Sequence, residues 1–240
     1  NASWGAISPD GRLFAYDVGG LMIRDLATGE TKRLEDPGDW DLLSWSPDGN
    51  QIAFSWYSRA DKTWQLRVID AAGGLPRALI SRADLAVRDP FDWSADGKFV
   101  AVDAVAKDIH GIALVTLASG AIRELHHTGA GADVASLARF SPDGRYLALS
   151  ISTAANRNCR DIVVVATDGS DESTVTDGKG VNDVVGWAPN GSGLAFISDR
   201  GGSQGLWLLD VVRGQAHGEP RLLRADLGNV TTHYARMARE

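Results

Sequence analysis

Cysteine occurs once in these 240 residues, at Cys159, so no internal disulfide can staple the chain, although a lone thiol does not by itself settle the compartment. No run of 18 apolar residues is present, which excludes a membrane-spanning helix. Helical periodicity is missing too. Only the tail, Tyr234 to Glu240, has a pattern that a helix could use. Positive charge is in deficit, with 24 Lys and Arg against 31 Asp and Glu and a formal net charge of −7. A nucleic-acid footprint is basic, so no nucleic-acid partner is expected. Chemical motifs are equally scarce. There is no Gly-x-Ser-x-Gly elbow for a serine nucleophile. Gly191-Ser192-Gly193 and Gly201-Gly202-Ser203 lack the Lys-Ser/Thr pair and the helix of a phosphate loop. His126 and His127 are adjacent, so on a strand they point apart, and no acidic or cysteine partner completes a metal-ligand spacing. The reading is a chain without catalytic residues, cofactor or metal.

What the chain has instead is a repeat. Ser8-Pro9-Asp10-Gly11 returns as Ser46-Pro47-Asp48-Gly49, Ser94-Ala95-Asp96-Gly97, Ser141-Pro142-Asp143-Gly144 and Ala188-Pro189-Asn190-Gly191. The steps between copies are 38, 48, 47 and 47 residues. A period in this range marks a repeat architecture. The phrase is a turn with a mechanism: Pro presets φ, Asp or Asn is tolerated at the third position, and Gly accepts a left-handed conformation at the fourth. A large apolar residue precedes each copy, namely Ile7, Trp45, Trp93, Phe140 and Trp187, and an apolar strand such as Ile52-Ala53-Phe54 follows. The large residue reads as a plug between neighbouring sheets.

Each repeat goes on to a third strand, for example Leu66-Arg67-Val68-Ile69, then a Gly-containing turn, then a short fourth strand such as Arg77-Ala78-Leu79 or Arg221-Leu222-Leu223. Four antiparallel strands per ~40–50 residues describe a β-propeller blade. The expected fold is therefore all-β, a single propeller domain over 1–240 with blades at about 3–35, 38–81, 86–126, 133–177 and 180–224. Residues 225–240 form a tail or begin another blade, and the ring has five blades or is part of one with six or more. The chain begins at Asn1 without a signal peptide, which reads as a processed chain or a domain of a longer protein.

The Trp-Ser-Pro-Asp-Gly phrase, the Ile-Ala-Phe-like strand after it, and Ser198-Asp199-Arg200-Gly201-Gly202 resemble the TolB-type, WD-like propeller repeat over essentially the whole chain. The resemblance implies a bacterial module and favours a periplasmic or extracytoplasmic setting over a cytoplasmic one. Three roles come with it. One is a non-catalytic binding or scaffold module of a larger protein. Another is the substrate-gating propeller of a prolyl-oligopeptidase-like or tricorn-like serine peptidase. The third is an enzyme with its site in the propeller mouth, such as a polysaccharide lyase or hydrolase.

A site is expected on the loops that join one blade to the next and the second strand to the third, opposite the Ser-Pro-Asp-Gly turns. Asp41, Asp89 and Asp183 each lie four residues before the plug. Period-2 alternation would put them on its face or at the strand entrance. They form either a polar ring for a cation, an amine or a basic peptide, or caps on their own loops. With Trp40, Arg59 and His110 they make up the candidate partner-binding set. The partner is a protein, a peptide or another domain of the same polypeptide, since aromatic and arginine anchors in a charged rim characterise interface hot spots.

Overall fold

The computed structural model describes residues 5–34, 39–107, 110–127, 134–153 and 156–228, with the backbone alone at 39–41, 110, 134–136, 153 and 156–158. Every element in it is a strand. The first sheet contains β1 (Gly5–Ile7), β2 (Leu13–Asp17), β3 (Leu21–Asp25) and β4 (Thr31–Arg33). The second contains β5 (Asp39–Trp45), β6 (Gln51–Ser58), β7 (Thr63–Asp70) and β8 (Arg77–Ser81). The third contains β9 (Leu85–Trp93), β10 (Phe99–Ala106), β11 (His110–Thr116) and β12 (Ile122–His127). The fourth contains β13 (Val134–Phe140), β14 (Tyr146–Thr153), β15 (Asn156–Ala166) and β16 (Glu172–Thr174). The fifth contains β17 (Asn182–Trp187), β18 (Gly193–Ser198), β19 (Gly205–Val212) and β20 (Gln215–Arg224). All five are antiparallel meanders in sequence order, the five four-stranded blades of a propeller. Residues 1–127 form one compact unit with three blades, and residues 128–240 a second with two.

The repeated phrase closes each first hairpin through one hydrogen-bond circuit. In the third blade Ser94 Oγ donates to Asp96 Oδ1 (2.7 Å) and accepts from the Phe99 N–H (2.9 Å), while Asp96 Oδ1 also accepts from the Lys98 N–H (3.1 Å). Ser8, Ser46 and Ser141 make the same bonds to Asp10, Asp48 and Asp143 and from Leu13, Gln51 and Tyr146. The circuit holds these carboxyls low. For Asp96 the Ser94 hydroxyl is the largest cause, followed by the Lys98 ammonium and its backbone N–H, and the pKa falls to about 2. The fourth turn residue is left-handed, as expected, with φ of 70° at Gly49, 69° at Gly97 and 70° at Gly144. The fifth blade has Ala188 and Asn190 here, and keeps only the Asn190 Oδ1 bond from the Ser192 N–H (3.1 Å).

The plugs do more than fill space. Nε1 of Trp45, Trp93 and Trp187 donates to the carbonyl of Ala6 (2.9 Å), Ser44 (3.2 Å) and Arg139 (3.0 Å). Each acceptor directly precedes the plug of the blade before, so a buried indole N–H is satisfied and the stagger between blades is fixed. Around Trp93, the second blade's Ala53, Leu66, Val68 and Ile80 meet the third blade's Val87, Val100, Val102 and Val115, all buried. Phe54 and Phe196 are completely buried, each burial stabilising the fold by about 1.5–3 kcal/mol. Two plugs differ from expectation. Ile7 is 58% exposed, because no sheet precedes it within its unit. Trp187 is half-buried, whereas Trp45, Trp93 and Phe140 are buried.

The fourth strand of the last blade also differs, beginning at Gln215 instead of Arg221. At the C-terminal end, Asp226 accepts from the Ser203 hydroxyl (2.7 Å) and Leu227 N–H donates to the Gln204 carbonyl (3.0 Å). The helix considered for Tyr234 to Glu240 lies outside the described residues.

Candidate functional site

In a four-stranded meander the β2–β3-type turns and the blade-to-blade connections emerge at one end, and the Ser-Pro-Asp-Gly turns at the other. At the first end, the inner strand of each of the last four blades carries an irregularity. Register slips by one residue between Trp40 and Leu43 in β5, at Asp89 and again at Phe91 in β9, at Ser136 in β13 and at Val185 in β17. A bulge inserts an unpaired residue and reverses the alternation beyond it. Asp41, Asp89 and Asp183 are thus separated from their plugs by a bulge, and simple period-2 counting does not place them on the plug's face. Asp89 itself sits at φ 46°, a region that Asp and Asn tolerate better than other side chains.

The structure places the six candidates as follows. Trp40 and Asp41 lie on β5 and His110 opens β11; their side chains lie outside the described residues. Arg59 is exposed in the turn between β6 and β7. Asp89 is half-buried on the β9 bulge. These five belong to residues 1–127, and Asp183 to residues 128–240. Asp183 lies in a buried ion pair. Its Oδ2 accepts from Arg160 on β15 at 2.9 Å, with the two side chains 5% and 17% exposed. Such a pair adds little net stability, since both ions lose hydration, but removing one partner strands a buried charge.

That pair belongs to a network the sequence did not reveal. Residues 177–183, between the fourth and fifth blades, are fastened along their length. Asp161 Oδ1 accepts from the Thr176 hydroxyl (2.7 Å) and the Gly178 N–H (2.9 Å). Asn182, fully buried, donates through Nδ2 to the carbonyls of Arg160 (2.7 Å) and Lys179 (3.1 Å). Asp199 Oδ1 accepts from the Val181 N–H (2.8 Å). Gly180, at φ 70°, lies so close to that carboxylate that a Cβ would collide with it. Arg200 donates to Asp177 (2.6 Å), with its guanidinium 5.5 Å from the Phe196 ring and 5.8 Å from the Trp207 ring. Asp177 also pairs with Lys179 (2.6 Å). The Lys179 ammonium lowers its carboxyl against the opposing pull of burial, Arg200 assists, and the Lys179 pKa rises in turn. The Asp199-Arg200 phrase is visible in the sequence. Arg160 and Asp161 carry no such signal, because they sit mid-strand without a repeat.

In the other unit, the second blade carries an aromatic group of its own. The Arg67 guanidinium lies 3.6 Å over the Trp56 ring and donates to Gln65 Oε1 (3.0 Å), and Tyr57 tilts against Trp64 at 5.4 Å. Arranged this way, the loop ends present fixed donors, acceptors and aromatic faces, suited to holding and orienting a partner. Among the described residues no group of three or more His, Cys, Asp or Glu is placed to hold a metal ion, and no helix is long and apolar enough to cross a membrane.

A family model for the TolB beta propeller domain matches residues 55–220. The chain belongs to that family. No curated protein matches it in sequence. Solved structures share the fold at low identity. A protein described as TolB from Agrobacterium tumefaciens is 22% identical with a TM-score of 0.68, the match covering 92% of this chain and 80% of that one. An oligogalacturonate lyase from Vibrio parahaemolyticus is 16% identical with a TM-score of 0.65, covering 93% and 65%. A puromycin-hydrolyzing peptidase from Mycobacterium tuberculosis is 13% identical with a TM-score of 0.65, covering 95% and 38%. This TolB-family chain thus spans under two thirds of the lyase and well under half of the peptidase, and the likeness is one of fold.

Proposed function

We propose that this TolB-family propeller is a non-catalytic binding module whose loop end takes a protein, a peptide segment or another domain of the same polypeptide. The observation that carries the reading is the bulge recurring near the loop end of four successive inner strands. Bulges re-aim side chains and are favoured beside functional sites. Within residues 1–127 the bulges lie at or beside Asp41 and Asp89, and within residues 128–240 one lies two residues after Asp183, where the pinned 177–183 connection is preorganised. Preorganisation lowers the ordering cost of binding.

The test places a photo-crosslinking residue at Arg59 or Lys107, both exposed at the loop end, and at Asp96 or Arg12 among the turns. Crosslinked polypeptide is expected from the first two positions. Trp40→Ala and Asp89→Asn should each weaken that binding by about 1–3 kcal/mol, the range of interface anchors, while the far-UV spectrum stays unchanged. Crosslinks confined to the Asp96 and Arg12 positions would remove the loop end from consideration. A second reading, a gating propeller for a serine peptidase, draws on the peptidase neighbour, of which this chain spans 38%. A hydrolase domain with a Gly-x-Ser-x-Gly elbow in the same polypeptide would support it.

A further inference from the structure

At the opposite end of the second unit, the fifth blade departs from the repeat in three ways that meet at one place. The first is length. Ile23 pairs with Lys32, Val68 with Arg77 and Val164 with Ser173, nine residues on in each case, but Leu208 pairs with Arg221, thirteen on. The extra four residues lengthen the outer hairpin through Asp210–His217, Val211–Ala216 and Val212–Gln215 pairs. It ends in a two-residue turn, Arg213-Gly214, with φ of 51° and 79°, the conformation of a type I′ hairpin. The second departure is bracing. Gln215 accepts from the Ser173 hydroxyl (2.8 Å) and donates to Asp171 (3.1 Å), so the longer hairpin is tied to the blade before it. Gly214 lies flat against the Tyr146 ring, where a Cβ would approach within 2.8 Å. The third is the half-buried plug Trp187, beside Ala188 in place of the usual serine.

Together these enclose a cleft of about 400 Å³, walled by Trp187, Tyr146, Pro142, Pro189, Arg145 and Arg213. That volume lies within the range of ligand sites, about 300–1,000 Å³. The Trp187 N–H is spent on the Arg139 carbonyl, so its ring serves as an apolar surface. Among the described residues Arg213 has no ion pair, and it is exposed at the hairpin tip. Arg145 shares Asp143 (2.8 Å). Two guanidinium groups against one carboxylate leave the cleft locally positive on a chain whose net charge is −7. Aromatic and proline walls suit a proline or aromatic side chain, and an unpaired guanidinium suits a carboxylate.

We infer that this cleft is a second binding site, independent of the loop end, and that it takes a short acidic peptide segment in which Asp or Glu stands next to a proline or aromatic residue. A displayed library of random hexapeptides, selected on the whole chain, tests this. Enrichment of Asp or Glu within two residues of Pro, Phe, Tyr or Trp is expected. A synthetic enriched peptide, followed by fluorescence anisotropy, should lose at least tenfold in affinity to the Arg213→Glu variant. A similar loss is expected when the outer hairpin is shortened by four residues to the length of its counterparts. Arg12→Glu, in the first blade's turn, should bind as the parent does. Selection without acidic enrichment would overturn the proposal, as would a peptide that binds the Arg213→Glu variant equally well. A peptide lost with Trp40→Ala but kept by Arg213→Glu would overturn it while supporting the loop end.

Discussion

Replacing Ser94 by Ala removes one oxygen and three relationships. Phe99 N–H loses its acceptor at 2.9 Å, Asp96 loses its donor at 2.7 Å, and the turn loses the link between them. Ser94 is 3% exposed, so water does not replace the hydroxyl at the Phe99 N–H. An unsatisfied group of that kind costs about 1–3 kcal/mol. The Asp96 carboxylate is 49% exposed and recovers water, so its lost bond adds little. The total should be about 2 kcal/mol, a melting shift of about 4–8 °C for a domain of this size. Urea denaturation with an unchanged m-value is the assay. It also carries a sign in pH. The Asp96 pKa is lowered to about 2 from an ordinary value of 3.8, chiefly by the Ser94 hydroxyl. A carboxyl depressed in the folded state contributes stability above its unfolded pKa and loses it as pH falls through the folded one. The gap between parent and Ser94→Ala should therefore narrow between about pH 4 and pH 2. Conversely, the fifth blade lacks the circuit, and Ala188→Ser with Asn190→Asp should restore it and raise stability by about 1 kcal/mol. A loss below about 0.5 kcal/mol for Ser94→Ala, or a gap that widens in acid, would refute the account of the turn.

Two further outcomes follow from the repeat. Gly49→Val forces a β-branched residue to φ 70° with the Pro9 ring 3.8 Å from the new Cβ; it should cost about 1–3 kcal/mol, and an unchanged denaturation midpoint would show that the turn relaxes freely. Trp93→Ala should cost about 3–5 kcal/mol through cavity formation and the orphaned Ser44 carbonyl, and Trp187→Ala distinctly less because its indole is half-buried already; equal losses in paired denaturation curves would contradict that order.

The fold was legible because each blade states it again. One Ser-Pro-Asp-Gly turn is an ordinary hairpin signal, but five at a near-constant step, each after a large apolar residue, specify sheet, order and stagger together. The structure then returns that pattern in a form the letters do not show, a chain of indole N–H bonds from Trp45, Trp93 and Trp187 to the carbonyl before the preceding plug. The loop end was only half legible. Asp41, Asp89 and Asp183 align by counting, but counting assumes strict alternation, and the bulges in β5, β9 and β17 break it between those residues and their plugs. A bulge is a choice among registers settled by packing on both sides of the strand, so local composition does not announce it.

The most informative positions are accordingly those where this chain stops repeating itself. A residue that recurs in every blade serves what every blade needs, namely the turn, the plug and the neighbour's face. Arg160 and Asn182 recur nowhere, and they pin one connection with a buried ion pair and a buried amide. The four residues that lengthen the last hairpin also recur nowhere, and they wall the junction where the Trp187 plug is only half-buried. Repeat stability is a sum of similar units and interfaces, so stability alone gives no reason for a single blade to extend its hairpin, brace it on the blade before and replace the serine that closes its turn. Those three departures occur together and enclose one volume. The peptide site proposed for that volume gives the three departures one common reason, which the Arg213→Glu and shortened-hairpin variants put to the test.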